Sequence, residues 1–454
     1  MRRSYPIVAM LLLLGCSDDG SSNPDAAVPD ARLDIGINEG GADQGPVKLP
    51  ELPVASGVVY VAHYHTTDLR IYRVDGADPT AEPAVELGPG HESHDLALDP
   101  YNDRLYVVSD SGKRVALHKL SRPAAAGQAL TAPALEATID TGDRIPLLAQ
   151  VDPRRHRLYV VASPPGAAVP TSYLLLAYDV SVPASPTPLA GSPFTIPVTS
   201  SVALDAPRQL LFVVQAKTHK LYAYDLHGDQ LRALDGEPLD LEALYPQQNQ
   251  TAFQVRSLTV DPWRNRLFAA RSQSVLSELI VVEYPNLLPT AAAGYAMLAR
   301  MSALKAIADP FDADIPSDQR PNLMDAYQPA LDLERGHVFL SADAWTGTGA
   351  AALVATIGDG MKLAQSCAAH ESFGCWYQSY SAGNPGTHLR TDGAACVDHT
   401  HRVFVGTSVD EQDETQPGSV VLFRYQPDLS IAPWVPSGGA NLTAGGLPVA
   451  AVCH

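Results

Sequence analysis

The chain has 454 residues, 46% of them hydrophobic and only 18% charged, with 38 Pro and 33 Gly. That composition supports a buried core cut by many turns, and it excludes a coiled coil, a disordered chain and a membrane-spanning protein. A formal net charge of −19 with no basic stripe excludes a nucleic-acid binder and direct docking on anionic lipid.

In chain order, the first segment is MRRSYPIVAMLLLLGC. Arg2 and Arg3 precede an apolar run, Ile7–Leu14, that is far shorter than the roughly 20 residues of a membrane span, so it is a targeting segment. Its end, Leu13-Leu14-Gly15-Cys16, resembles the lipobox of bacterial lipoproteins. The resemblance implies lipidation of Cys16, with palmitate among the acyl groups. Ser17 after Cys16, rather than Asp, implies the outer membrane. Residues 17–50 are rich in Asp, Gly, Ala, Pro and Ser and cannot bury enough surface to order themselves. They are expected to form a disordered tether reaching roughly 30–35 Å. The expected organisation is 1–16 signal peptide, 17–50 tether, 51–454 folded domain.

One unit recurs along that domain: an apolar strand ending in Asp, a polar turn, then a strand with a central aromatic. Its copies are LALDPYNDRLYVV (Leu96–Val108), AQVDPRRHRLYVV (Ala149–Val161), VALDAPRQLLFVV (Val202–Val214), LTVDPWRNRLFAA (Leu258–Ala270), PALDLERGHVFLS (Pro329–Ser341) and ACVDHTHRVFVG (Ala395–Gly406). A further β-rich run follows each copy, as in KLYAYDL (Lys220–Leu226), and a weaker fourth strand often comes next. Four short strands per repeat of this length predict one blade of a β-propeller. VVYVAHYH (Val58–His65) and LRIYRV (Leu69–Val74) match second and third strands with no first strand before them. PVAAVCH (Pro448–His454) supplies the missing strand, with Cys453 at the marker position occupied elsewhere by Asp. The expected fold is therefore an all-β, seven-bladed propeller with four-stranded blades. The C-terminal strand would close it by completing the first blade. Insertions are expected near 302–324 and 358–388. The marker Asp residues are expected to bond turn N–H groups, and the central aromatics to pack between blades.

The unit resembles the blades of YVTN-type, lactonase-like propellers, as in Asp99-Pro100 followed by Arg104-Leu105-Tyr106-Val107. The resemblance spans about residues 55–454 and implies fold more than function, because propellers host enzymes, electron carriers and docking platforms.

Ligands of such folds usually enter on the face formed by loops into each first strand and loops after each second strand. His63, His65, His91 and His94 fall there on adjacent blades, with Asp95 beside them. Converging imidazoles suit a transition metal or acid–base chemistry; the alternative is loop histidines making local hydrogen bonds. Gln328, Asp392 and the basic residues Arg256, Arg271 and Arg390 fall on the same face, and these arginines suit an anionic substrate. Export favours a disulfide between Cys367 and Cys375, which flank a short loop. Cys396 and Cys453 fall on neighbouring first strands, where a bond would staple the closure, or two thiols would be buried.

The leading expectation is a lipid-anchored, monomeric, extracytoplasmic platform that binds a protein, glycan or small molecule through its loop face. Two alternatives stand beside it: a lactonase-like hydrolase, and a metal-dependent redox propeller using the histidines. Residue types alone name no cofactor.

Overall fold

The computed structural model describes residues 51–64, 66–88, 92–123, 128–166, 169–216, 218, 220–234, 238–241, 254–273, 276–284, 296–299, 323–344, 349–356, 389–390, 395–410, 418–426, 431–434, 442–443 and 447–454. The signal, the tether, the expected insertion near 358–388, all but the last two residues of that near 302–324, and the pair Cys367 and Cys375 lie outside them. Within them the fold is an all-β propeller. A single 3-10 turn, His227–Asp229, is its one helical piece among the described residues, and none of these forms a helix long and apolar enough to cross a membrane.

Each repeat builds one antiparallel sheet in sequential order. Ser93–Asp99, Arg104–Ser109, Arg114–Lys119 and Ala134–Asp140 form one such sheet, and Gln254–Asp261, Arg266–Gln273, Leu276–Glu283 and Ala296–Ala299 another. The second strand is apolar on both faces because it is flanked within its sheet and covered above and below. Leu105, Tyr106, Val107 and Val108 are all buried. The core consequently lies between sheets. Phe212, Val214 and Leu221 of one sheet pack with Leu267, Ile280 and Tyr284 of the next. Each such fully buried side chain contributes about 1.5–3 kcal/mol.

The turn between first and second strands is built the same way in every described copy. The marker Asp faces the first residue of the second strand, as in Asp99 opposite Arg104 and Asp261 opposite Arg266. Its side chain accepts turn amides: Asp99 Oδ1 takes Tyr101 N–H at 3.1 Å and Asn102 N–H at 3.0 Å. The fourth residue after the marker is left-handed, at φ 49° in Asp103, 54° in His156, 56° in Gln209, 54° in Asn265, 66° in Gly336 and 56° in Arg402. The carbonyl of that residue then accepts an N–H from the end of the third strand, as Asp103 does from Leu120 at 2.8 Å.

The third residue after the marker links neighbouring sheets, a role the residue pattern carries as Asp-x-x-Arg. Arg208 Nη1 donates to Asp205 Oδ2 at 2.9 Å and to the Pro262 carbonyl of the next turn at 2.8 Å. Arg264 reaches Leu333 at 3.1 Å and Arg335 reaches His399 at 3.0 Å in the same manner. Tyr284 and Tyr425 hydroxyls donate to Asp205 and Asp332 at 2.6 and 2.8 Å.

Leu447–Cys453 pairs antiparallel with Val58–Tyr64, placing Cys453 opposite Val59. His454 exchanges hydrogen bonds with Val58, so His454 and not Cys453 occupies the marker position. The sequence spacing is therefore off by one residue there. The His454 ring bonds side chains instead of turn amides, with Nδ1 at 2.9 Å from Ser56 Oγ and Nε2 at 3.1 Å from Asp103 Oδ1. Cys453 is disulfide-bonded to Cys396 on the neighbouring first strand, at a Cα separation of 5.7 Å.

Candidate functional site at the channel mouth

First strands from different sheets converge on one axis. Residues four or five before the markers of several sheets come together there and line a cavity of about 220 Å³. Its polar wall consists of His94, Asp95, Ser200, Ser201, Ser257 and Gln328, with Gln150 below them. Backbone register does this: Asp95, Ser201, Ser257 and Gln328 all stand four residues before a marker Asp.

Asp95 is the acidic group of this wall. Its Oδ2 accepts the Ala149 N–H of the neighbouring first strand at 2.8 Å, and the Leu96 amide also bonds the carboxylate. Burial outweighs these amides and pushes the carboxyl up to about 7. Ser201 performs the same structural task two sheets further on, its Oγ accepting Leu258 N–H at 2.9 Å. A hydroxyl therefore suffices for the inter-sheet bond, and a titrating carboxyl is surplus to it. A group with this pKa is half ionised near neutrality and suits general base catalysis. His94, half-buried, stands beside it on the cavity wall.

The expected histidine group is placed in part. His63 lies at the end of Val58–Tyr64, where a bulge after Ala62 continues the ladder past the expected loop start. Its ring is fully buried and lines neither described cavity. Its backbone exchanges hydrogen bonds with Ser93 Oγ at 3.1 and 3.2 Å. Neither ring nitrogen has a hydrogen-bond partner among the described residues, and burial lowers the imidazole to about 4. His65, His91 and Asp392 lie outside the described residues. Among the described residues no three His, Cys, Asp or Glu side chains stand together as a metal site.

Arg256 lies on Gln254–Asp261, five residues before its marker, in the layer of His94 and Ser200. Arg271 pairs with Val255, and Arg390 with Val409. The side chains of all three fall outside the described residues. Gln328 is at the mouth as its sequence position implies. Gln150, Ser200, Ser201 and Ser257 carry no motif. Writing the repeats one under another and reading the column four before the marker would have found two of them.

No family model and no curated protein sequence matches the chain. Solved structures do. The Pseudomonas aeruginosa periplasmic gluconolactonase PpgL superposes with a TM-score of 0.56 at 12% identity, covering 87% of this chain and 98% of that one. A protein from Lactobacillus plantarum superposes with a TM-score of 0.54 at 13% identity, with the same coverage. At these identities the likeness is one of fold: this chain has the architecture of the lactonase-like propellers.

Proposed function

We propose that the channel mouth is the active site of a lactonase-like hydrolase, with Asp95 as general base. The observation that carries this reading is the Asp95 carboxyl on the wall of a polar cavity on the propeller axis, where burial pushes it up to about 7. The architecture shared with a gluconolactonase supports the reaction class. Ionised Asp95 takes a proton from water as the water oxygen attacks the lactone carbonyl carbon. The ring C–O bond then breaks, and the departing alkoxide takes back that proton, giving the hydroxy acid. Gln150, Gln328 and the Ser201 hydroxyl supply donors for the carbonyl oxygen and the ring hydroxyls, while the Ser200 hydroxyl is held by the Val255 carbonyl at 2.8 Å.

The test uses Asp95→Ser, which keeps an acceptor for Ala149 N–H as Ser201 does for Leu258. Hydrolysis of glucono-δ-lactone should fall by about 10²–10⁴-fold, with the urea midpoint at pH 5 preserved. Wild-type kcat should rise with pH through about 7 as Asp95 ionises. Undiminished turnover in Asp95→Ser would end the assignment. Binding of the lactone without turnover by the wild type would favour a binding platform instead.

The same proposal includes seven blades, closed where Leu447–Cys453 completes the sheet of Val58–Tyr64. It also includes a monomer tethered by residues 17–50 to an outer-membrane lipid anchor at Cys16. The disulfide between Cys396 and Cys453 accords with an oxidising compartment outside the cytoplasm. Incorporation of labelled palmitate, abolished by Cys16→Ser, tests the anchor.

A further inference from the structure

His94 and Asp95 are consecutive residues, yet both line the mouth. A regular strand sends neighbours to opposite faces, so the strand must depart from regularity here. A bulge does this. Ser93 pairs with Ser109 and Asp95 with Val108, so two steps on the first strand match one on the second, and His94 is the extra residue. The same shift recurs five residues before other markers. Ser200 is extra between Thr199, opposite Gln215, and Ser201, opposite Val214; Arg256 is extra between Val255 and Ser257. On the closing strand the extra residue is Val449, since Ala62 and His63 pair with Ala450 and Pro448. Repeated bulges thus build the wall of the mouth. A second cavity of about 380 Å³ on the axis shares Gln150 and Gln328 with the mouth, but Asp95 borders the mouth and not this space.

Ser93 holds the bulge that precedes Asp95. Its side chain is fully buried, and its Oγ accepts the His63 N–H at 3.1 Å and donates to the His63 carbonyl at 3.2 Å. His63 belongs to the neighbouring sheet and is itself buried, and Pro448 opposite it has no N–H to offer that carbonyl. One hydroxyl therefore satisfies two buried backbone groups. The strand is then pinned on both sides of the bulge. Ser93 ties it to the sheet before, and Asp95 ties it to the sheet after through the Ala149 N–H at 2.8 Å. Thr199 stands in the same column of its own repeat, six before the marker, but its hydroxyl stays within its sheet, against the Ser201 and Val214 carbonyls at 2.7 and 2.6 Å. Pro146 and Val255 occupy that column elsewhere and have no hydroxyl.

We infer that Ser93 is a positioning residue of the mouth: its two bonds to His63 fix the bulge that sets Asp95 on the cavity wall. Without them the strand can slip back towards regular alternation, which sends His94 and Asp95 to opposite faces. The effect on turnover rests on the hydrolase reading; the aim of the carboxyl rests on register and hydrogen bonds alone.

The experiment compares Ser93→Ala and Ser93→Thr with the wild type. Ser93→Ala should lower kcat for glucono-δ-lactone by about 10²-fold with KM nearly unchanged, the cost of a displacement of about 1 Å. Ser93→Thr keeps the hydroxyl, in a column where Thr199 shows that the backbone takes a threonine, and should keep the turnover. NMR titration of protein labelled at the aspartate carboxyl carbon, with Asp95→Ser identifying the resonance, follows the same carboxyl without reference to turnover. In Ser93→Ala its midpoint should fall below the wild-type value of about 7, because burial is the largest influence on it and displacement admits water. His94, the other titratable side chain among the described residues of that wall, is retained in every variant. If Ser93→Ala does not fold, Ser93→Cys, with a weaker donor, reads the same shift. An unmoved Asp95 midpoint in either folded variant overturns the inference and leaves the hydrolase reading intact. A shifted midpoint in a protein that hydrolyses no lactone ends the hydrolase reading and keeps Ser93 in its role.

Discussion

Replacing Arg208 by Met tests whether the inter-sheet arginines carry the ring. The Arg208 and Asp205 side chains are 1% and 0% exposed, and the guanidinium joins that carboxylate to the Pro262 carbonyl of the next sheet. Methionine keeps most of the apolar stem but strands the carboxylate with the single backbone amide of residue 208 and the Tyr284 hydroxyl. Removing one partner of a buried ion pair costs about 3–5 kcal/mol, because the remaining charge stays desolvated. Arg335 makes the same contacts in its own turn but is 26% exposed, so water replaces much of what Arg335→Met removes. A cost of about 1 kcal/mol is expected there. Urea unfolding followed by fluorescence reads both, with midpoints shifting at constant m. Adding Asp205→Asn to Arg208→Met neutralises the stranded charge and should recover about 1–3 kcal/mol. The reasoning fails if Arg208→Met costs no more than Arg335→Met, or if the added Asn restores nothing.

Gly57 occupies the left-handed turn position at φ +73°, where an added Cβ would stand 2.4 Å from Asp75 Cβ and 3.0 Å from His401 Cε1. Gly57→Ala should therefore cost well over the roughly 1 kcal/mol of the dihedral alone, read as a loss of thermal midpoint. His63 is neutral in the fold, lowered to about 4 from 6.5, so the unfolded chain takes up its proton first. Stability should fall as pH drops from about 6.5 towards 4, and His63→Leu should flatten that slope in urea titrations; an unaltered slope would show that the ring is hydrated. The Cys396–Cys453 bond closes a separation of 57 residues. Its loss in Cys396→Ala/Cys453→Ala should lower unfolding free energy by about 2–4 kcal/mol, and an unchanged urea midpoint would refute this.

Much of the ring is legible because its repeat is a physical unit. An apolar strand, an acid to hold the turn and an aromatic to fill the gap between sheets must recur wherever a sheet recurs. The Asp-x-x-Arg link was equally visible at Arg155, Arg208, Arg264 and Arg335, but its partner is a carbonyl of the next sheet, which no local pattern displays. Cys453 and His454 show the limit of spacing alone, since a slip of one residue reverses which face a side chain takes. His63 sits in a run resembling a strand leading to a loop, and only the bulge after Ala62 carries the ladder over it. The mouth is hardest to read because Ser200, Ser201, Ser257 and Gln150 are ordinary polar residues. Convergence of several strands on one axis makes them a wall.

The pairing of Val58–Tyr64 on both sides has a mechanical consequence. That strand lies between Asp68–Arg73 and Leu447–Cys453, so a pull on residue 51 along the strand loads two ladders side by side. All their hydrogen bonds must yield together rather than open one after another, as they would at an unpaired edge. The disulfide passes part of the load from Cys453 to Cys396 on the neighbouring sheet. A pull on this end of the folded body would thus meet the resistance of two sheets rather than of one strand.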